Sequence, residues 1–239
     1  MTGLRSRVLT VWLDFNFTLA NIARAMQHEQ AIADRLGRSV EETRTAMKRY
    51  ELPFEAGHLD ELTRMSGVLR NLGIEPGHEL VNELIELERQ TCLEAMELYP
   101  GTIRLLNWLK NRDVDRILVC NGNPITRYIA EDLGVSALCS QTIFSCDRKV
   151  KAKKPDRHIY VQAMRATRVP PPNCLYVGDG GDRELWGIHQ IYPQIPRVRV
   201  DHKIDGQRRD PSDPDLASEH VIPCIAYLID LLEPVVGPR

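Results

Sequence analysis

Three short apolar runs in this sequence of 239 residues end on polar side chains. Leu13 is followed by Asp14, Cys120 by Asn121 and Gly122, and Val177 by Gly178 and Asp179. If these runs are neighbouring parallel strands, their ends meet in one crevice, because an open parallel sheet binds ligands outside the carboxyl ends of its strands. Two carboxylates, an amide and exposed backbone N–H groups would then share that crevice. Oxygen donors of this kind suit Mg2+, which takes one or two carboxylates and completes its shell with water and phosphate oxygens. Taken singly, each Asp could instead cap the helix that follows its strand.

Lys154 adds a cation. It precedes Pro155, so its backbone is restricted, and it is placed to reach an anion in the crevice. Alone, Lys151, Lys153 and Lys154 read as a solvated basic turn. The order of all four elements along the chain argues for a site.

These residues need a scaffold, and the hydrophobic pattern predicts one. Val8 to Leu13 is a continuous apolar and β-branched run, the mark of a strand buried on both faces. From Leu19 to about Met96 the spacing becomes helical, with Ile22, Met26, Ala33 and Leu36, then Leu80, Leu84 and Leu87. Four helices are expected there. Breaks fall at Gly37 to Ser39, with Ser39 as N-cap, at Pro53 to Gly57, and at Gly73 to Gly77. Beyond Tyr99-Pro100-Gly101, helices are predicted at Thr102 to Arg112, Pro124 to Leu133, Pro155 to Thr167 and Pro223 to Leu232. Strands are predicted at Arg116 to Cys120, Gln141 to Ser145, Cys174 to Val177 and Arg197 to Val200, and an exposed loop at Asp201 to Asp215. Alternating strands and helices imply a parallel sheet covered on both faces. The chain thus reads as an α/β domain split by a helical insertion, which enters at a loop.

Composition narrows the class. Hydrophobic residues make up 43% and charged residues 27%, the mixture of an ordinary folded domain. A net charge of −2 offers no field for a nucleic acid or an anionic membrane surface. No run of eighteen apolar residues suggests a transmembrane span. Six cysteines (92, 120, 139, 146, 174 and 224) without a C-x-x-C pair, and no secretory-type leader, lead us to expect reduced thiols in a cytoplasmic protein. Seven histidines lack metal-ligand spacing and read as surface or structural residues.

In order and content, Asp14-Phe15-Asn16-Phe17-Thr18-Leu19, Val119-Cys120-Asn121-Gly122, Lys154-Pro155-Asp156 and the stretch from Val177-Gly178-Asp179 to Leu185 resemble four motifs of the haloacid dehalogenase-like (HAD) hydrolase superfamily. The resemblance extends from about Arg7 to Leu232. It implies an α/β fold, a doubly wound parallel sheet of Rossmann-like form with an inserted α-helical cap. The core would comprise residues 1–19 and 97–239, and the cap residues 20–96.

The resemblance also implies roles. Asp14 would be the nucleophile that forms a covalent aspartyl intermediate. Asp14 and Asp179 would hold Mg2+ together with the backbone carbonyl of Asn16, with Glu184 or Asp182 orienting the site from outside. Lys154 would neutralise Asp14 and the substrate anion. Thr18, Cys120 and the amides around Asn121 and Gly122 would shape the phosphate pocket. Two positions depart from the pattern. Asn16 stands where the phosphatases of the superfamily carry an Asp that protonates the leaving group, and an amide cannot exchange that proton near neutral pH. Cys120 offers a weak thiol donor where a hydroxyl is usual.

The reading that follows is a Mg2+-dependent phosphatase acting on a small phosphorylated metabolite, with no nucleic acid or membrane as partner. One alternative is a catalytically impaired HAD-like protein that binds a ligand or a partner, kept open by Asn16 and Cys120. Another is a 2-haloacid dehalogenase, which Asn16 fits and Asp179 does not. Arg44, Lys48 and Arg49 with Tyr50 form a basic cluster in the insertion. It reads either as a solvated face or as a specificity contact to a phosphorylated substrate.

Overall fold

The computed structural model describes residues 7–24, 26–202 and 213–236. Among them are eight strands: β1 Thr10–Leu13, β2 Ala20–Ile22, β3 Met96–Leu98, β4 Asp115–Cys120, β5 Gln141–Phe144, β6 Cys174–Gly178, β7 Arg197–Val200 and β8 His220–Ile222. The ten helices are α1 His28–Leu36, α2 Val40–Glu55, α3 Glu61–Asn71, α4 His78–Ala95, α5 Thr102–Lys110, α6 Pro124–Asp132, α7 Val135–Leu138, α8 Arg157–Ala166, α9 Glu184–Ile191 and α10 Leu228–Leu232.

Six strands form one parallel sheet in the order β5-β4-β1-β6-β7-β8. The order changes direction at β1, which pairs with β4 on one side and β6 on the other. A two-residue period then sorts the side chains. Val11 and Leu13, Leu118 and Cys120, and Leu175 and Val177 enter one apolar layer, beneath α5, α6 and α10. Trp12, Ile117, Val119, Cys174 and Tyr176 enter the other, beneath α8 and α9. Both faces are dry, so these strands read as unbroken apolar runs.

Helices α1 to α4 have a core of their own, built on Ile32, Met47, Met65, Leu69, Leu84 and Ile85. Ser39 closes a capping box on α2 with Glu42, as its sequence position predicts. A short antiparallel pair that hydrophobic periodicity missed forms the stem of this helical unit. Ala20 faces Leu98 and Ile22 faces Met96, and the Tyr99 N–H donates to the Leu19 carbonyl at 3.0 Å. Three-residue strands carry too little pattern to be read from sequence.

Other boundaries moved for local reasons. Helix α2 runs through Pro53, which lies in its last turn, to Glu55, and the chain turns at Gly57 with φ 70°. Helix α8 starts after Pro155, because the Asp156 side chain caps the His158 N–H at 2.8 Å. The closing segment begins as a single 3-10 turn at Ile225–Tyr227 before α10, and β8 precedes it. Most of the loop expected at Asp201 to Asp215 lies outside the described residues. No described helix is long and apolar enough to cross a membrane.

Candidate active site

Asp14 is the first residue beyond β1, and its N–H donates to the Val177 carbonyl at 2.9 Å. That bond joins the ends of β1 and β6. The chain then folds into a tight turn: the Leu19 N–H donates to the Phe15 carbonyl at 2.9 Å, the Phe17 N–H to the Ala20 carbonyl at 2.7 Å, and Phe17 adopts φ 57°. A non-glycine residue in the left-handed region costs about 1–2 kcal/mol, strain of the kind held where a turn has work to do. The turn brings the Thr18 hydroxyl back onto Asp14 Oδ2, to which it donates at 3.1 Å. Asn16 is half-buried on the same turn, and its side chain makes no hydrogen bond among the described residues.

Lys154 enters between Asp14 and Glu184. Its Nζ donates to Asp14 Oδ1 at 2.5 Å and to Glu184 Oε2 at 2.6 Å. All three residues are buried, with exposures of 5% for Asp14, 4% for Lys154 and 1% for Glu184. Carboxylate oxygens of Asp14, Asp179 and Glu184 all lie within 4.8 Å of one another.

Electrostatics follow from this crowding. Burial, then the negative charge of Glu184, raises the Asp14 carboxyl from its ordinary 3.8 to about 7, with Lys154 pulling the other way and Asp179 adding to the rise. Burial opposes the charge on Lys154, but Asp14 and Glu184 outweigh it and hold the ammonium well above its ordinary value. Three carboxylates around one ammonium leave negative charge uncompensated. The donor set is all oxygen, and it fits a hard divalent cation. Asp14, Asp179 and Glu184 are the residues that could hold one.

The two acidic residues expected near the metal are placed differently. Glu184 joins the cluster. Asp182 is exposed, adopts φ 51°, and accepts a hydrogen bond from Asn121 Nδ2 at 2.7 Å. The Asn121 side chain also binds the Lys154 backbone, accepting its N–H at 2.6 Å and donating to its carbonyl at 3.1 Å.

Cys120 lies next to these charges. Its side chain is fully buried at the end of β4, and burial, then the negative charge of Asp14, pushes its thiol well up, so it stands beside the cluster as a closed-off thiol rather than an exposed donor. Gly122 is also engaged within the protein, donating its N–H to Ser145 Oγ at 3.0 Å.

Sequence reasoning passed over Tyr176, whose hydroxyl donates to Glu184 Oε2 at 2.6 Å, and Tyr160, whose hydroxyl donates to the Glu184 carbonyl at 3.0 Å. A tyrosine in a strand buried on both faces was the available signal, because its hydroxyl must find a partner there.

The helical unit meets the sheet domain beside this cluster. Ser145 Oγ donates to the Glu55 carbonyl at 2.9 Å, Lys153 pairs with Glu55, and Gly57 packs on the Cys146 backbone. A cavity of about 410 Å3 lies between the two, with Arg44, Lys48, Arg64 and Glu88 on the helical side and Asn123 and Ile125 from the sheet domain. Arg44 pairs with Glu29 and Glu41, and the buried Arg64 pairs with Glu88. Lys48 also lines this cavity, whereas Arg49 bonds Asn71 at 3.5 Å, outside it. Tyr50 packs against Gly67.

A family model described as haloacid dehalogenase-like hydrolase matches residues 7–190. Glyceraldehyde 3-phosphate phosphatase from Methanopyrus kandleri is 25% identical over 147 residues, 61% of this chain and 62% of that protein. The match thus spans less than two thirds of the curated relative. Among solved structures, 2-haloacid dehalogenase from Pseudomonas syringae pv. Tomato superposes with a TM-score of 0.73 at 20% identity, covering 95% of this chain and 99% of that one. A HAD phosphatase from Thermococcus onnurineus superposes with a TM-score of 0.65 at 19% identity, with the same two shares covered. At these identities the likeness to the solved structures is one of fold.

Proposed function

Because this chain belongs to the haloacid dehalogenase-like hydrolase family, we propose that it is a Mg2+-dependent phosphatase of a small phosphorylated metabolite. One observation carries the choice: Asp179 lies within reach of both Asp14 and Glu184 in an all-oxygen cluster. A hydrolase that attacks carbon needs no such trio. The match to a glyceraldehyde 3-phosphate phosphatase supports the same reading. Fold alone does not choose, since similar folds here carry both phosphatase and dehalogenase names.

Asp14 is the nucleophile. Thr18 and Lys154 hold its two oxygens in a fixed orientation, and Lys154 offsets charge as the carboxylate approaches an anion. A carboxylate oxygen of Asp14 bonds to phosphorus as the ester oxygen departs with its electron pair. Water then attacks the aspartyl phosphate at phosphorus, releasing inorganic phosphate and the Asp14 carboxylate. Mg2+, held by Asp14 and Asp179 with Glu184 beside them, would supply charge neutralisation on the phosphoryl oxygens. The backbone carbonyl of Asn16 is a further donor in this reading. The Asn16 amide has no proton to give the leaving oxygen, so substrates with stable leaving groups, such as acyl and aryl phosphates, are favoured. The helical unit acts as the cap; the cavity it shares with the sheet domain is lined by Arg44, Lys48 and Asn123 and not by Asp14, Lys154, Asp179 or Glu184, so it would take only an organic part that extends away from the phosphoryl group.

The test is phosphate release from an aryl phosphate with Mg2+ and with EDTA. Release that requires the metal and disappears in Asp14→Asn supports the proposal. Halide release from 2-haloacids in EDTA would replace it with the dehalogenase reading. Neither activity, with phosphate hydrolysis appearing in Asn16→Asp, would leave a binding protein on a hydrolase scaffold.

A further inference from the structure

We propose that Tyr176 is a positioning residue of this centre, whose hydroxyl fixes the Glu184 carboxylate and the Lys154 ammonium relative to Asp14. The inference rests on the metal-dependent reading above and deepens it.

Tyr176 is the third residue of β6, fully buried, on the face covered by α8 and α9. Shape and burial would be served there by phenylalanine; what needs explaining is the oxygen. It does two things at once. It donates to Glu184 Oε2 at 2.6 Å and accepts from Lys154 Nζ at 3.3 Å.

An ammonium has three N–H donors. Those of Lys154 are matched by Asp14 Oδ1, Glu184 Oε2 and the Tyr176 hydroxyl. With all three directions assigned, the ammonium cannot turn about its own stem. Glu184 is pinned in the same way. Its Oε2 receives Tyr176 and Lys154, and its Oε1 receives the Gly180 N–H at 3.0 Å. Lys154, Glu184 and Tyr176 therefore close a hydrogen-bonded ring in which each group fixes the other two. Without the hydroxyl, Glu184 would be held by Lys154 and Gly180 alone, and the ammonium would gain freedom to leave Asp14. The Glu184 carboxylate would then no longer be presented to Asp14 and Asp179 in one orientation.

The experiment is Tyr176→Phe in the full chain, which keeps the buried ring without its oxygen, with Tyr176→Met as a second apolar variant. Mn2+ is the probe, its uptake followed by the electron paramagnetic resonance of the free ion in the absence of substrate. Hydrolysis of an aryl phosphate is measured in parallel. Partners that orient metal ligands typically matter by about 10- to 100-fold in metal affinity or activity. The expected result is Mn2+ affinity weakened about tenfold or more, with kcat reduced about tenfold and KM changed less than twofold, in variants that still melt cooperatively. Affinity and kcat within twofold of the parent would overturn the proposal. So would failure of both variants to melt cooperatively, since the hydroxyl would then serve the core rather than the centre. A parent chain that takes up no Mn2+ would overturn the metal-dependent reading itself. Equal uptake by parent and variants would overturn only the role of Tyr176.

Discussion

Asn121 holds the backbone of Lys154 at both of its polar groups, accepting the N–H at 2.6 Å and donating to the carbonyl at 3.1 Å. The same amide reaches Asp182 at 2.7 Å. One side chain beyond β4 therefore ties together the segment before α8 and the turn after β6. Lys154 can place its charge only if its backbone is fixed, because four methylene groups separate the two.

Truncating that amide should release Lys154. For Asn121→Ala we expect kcat/KM on an aryl phosphate to fall by roughly 10- to 100-fold, the scale of a small misplacement at a reacting centre. Asn121→Asp should be at least as damaging, since it loses both donors and sets a carboxylate against Asp182. Steady-state kinetics on variants with native circular dichroism would check this, and an unchanged kcat/KM would remove Asn121 from the account.

Asn16 is the second lever. It sits on the turn that carries Thr18 back to Asp14, and its amide can donate a hydrogen bond but cannot deliver a proton. Asn16→Asp should raise metal-dependent phosphate release by at least about tenfold, the lower end of what general acid-base help supplies being nearer a hundredfold. The gain should be larger for alkyl than for aryl phosphates, because poorer leaving groups need the proton more. Rates for the two ester types, compared between parent and variant, test both statements.

Gly178 leaves the space that Glu184 fills. A Cβ at this position would lie 2.0 Å from Glu184 Oε1. In Gly178→Ala the Glu184 carboxylate must therefore move, giving up the Gly180 N–H and its place beside Asp14 and Asp179. The expected outcome is at least a tenfold loss of Mn2+ affinity, read by titration, with the parallel sheet intact by circular dichroism.

The raised Asp14 carboxyl makes a prediction about stability. In the unfolded chain it titrates near its ordinary 3.8, and in the fold near 7, chiefly because it is buried. Between those values the folded state binds the extra proton, so stability falls as pH rises from about 4 to 7. In EDTA, denaturant midpoints should be lower at pH 8 than at pH 5 by an amount corresponding to a few kcal/mol. Asp14→Asn should flatten that dependence. Added Mg2+ should restore stability at pH 8, where the cation takes the place of the proton.

The ends of the strands and the ordering of the site were readable because few residue types can serve there. Asp14, Lys154 and Asp179 follow buried strands or stand beside a proline, and those contexts are local in sequence. The four helices of the insertion were readable from their period, and Ser39 from its capping partner Glu42. Tyr176 was not, since its meaning depends on Glu184 and Lys154 arriving from two other segments. The burial of Cys120 was hidden for a related reason, since its position at the end of β4 gives its place beside Asp14 but not the apolar side chains that enclose it. The choice between Asp182 and Glu184 likewise needed the left-handed turn at Asp182 and Arg183, which turns Asp182 toward Asn121.

The stem formed by β2 and β3 closes the helical unit off from the sheet domain as two paired strands. The backbone leaves the sheet domain at Ala20 and is beside it again at Leu98, paired residue against residue. To the sheet, everything from α1 to α4 is topologically a hairpin turn. The entropic cost of closing such an excursion grows only with the logarithm of its length. Helices can therefore change beyond the stem wherever they do not meet the sheet domain, as Phe54, Glu55 and Cys92 do, while Asp14, a few residues before it, keeps its seat against Val177. The part of the molecule that would choose a substrate is thus tied to the part that would break the bond by the stem and a few contacts around Glu55 and Gly57, and is free to vary elsewhere.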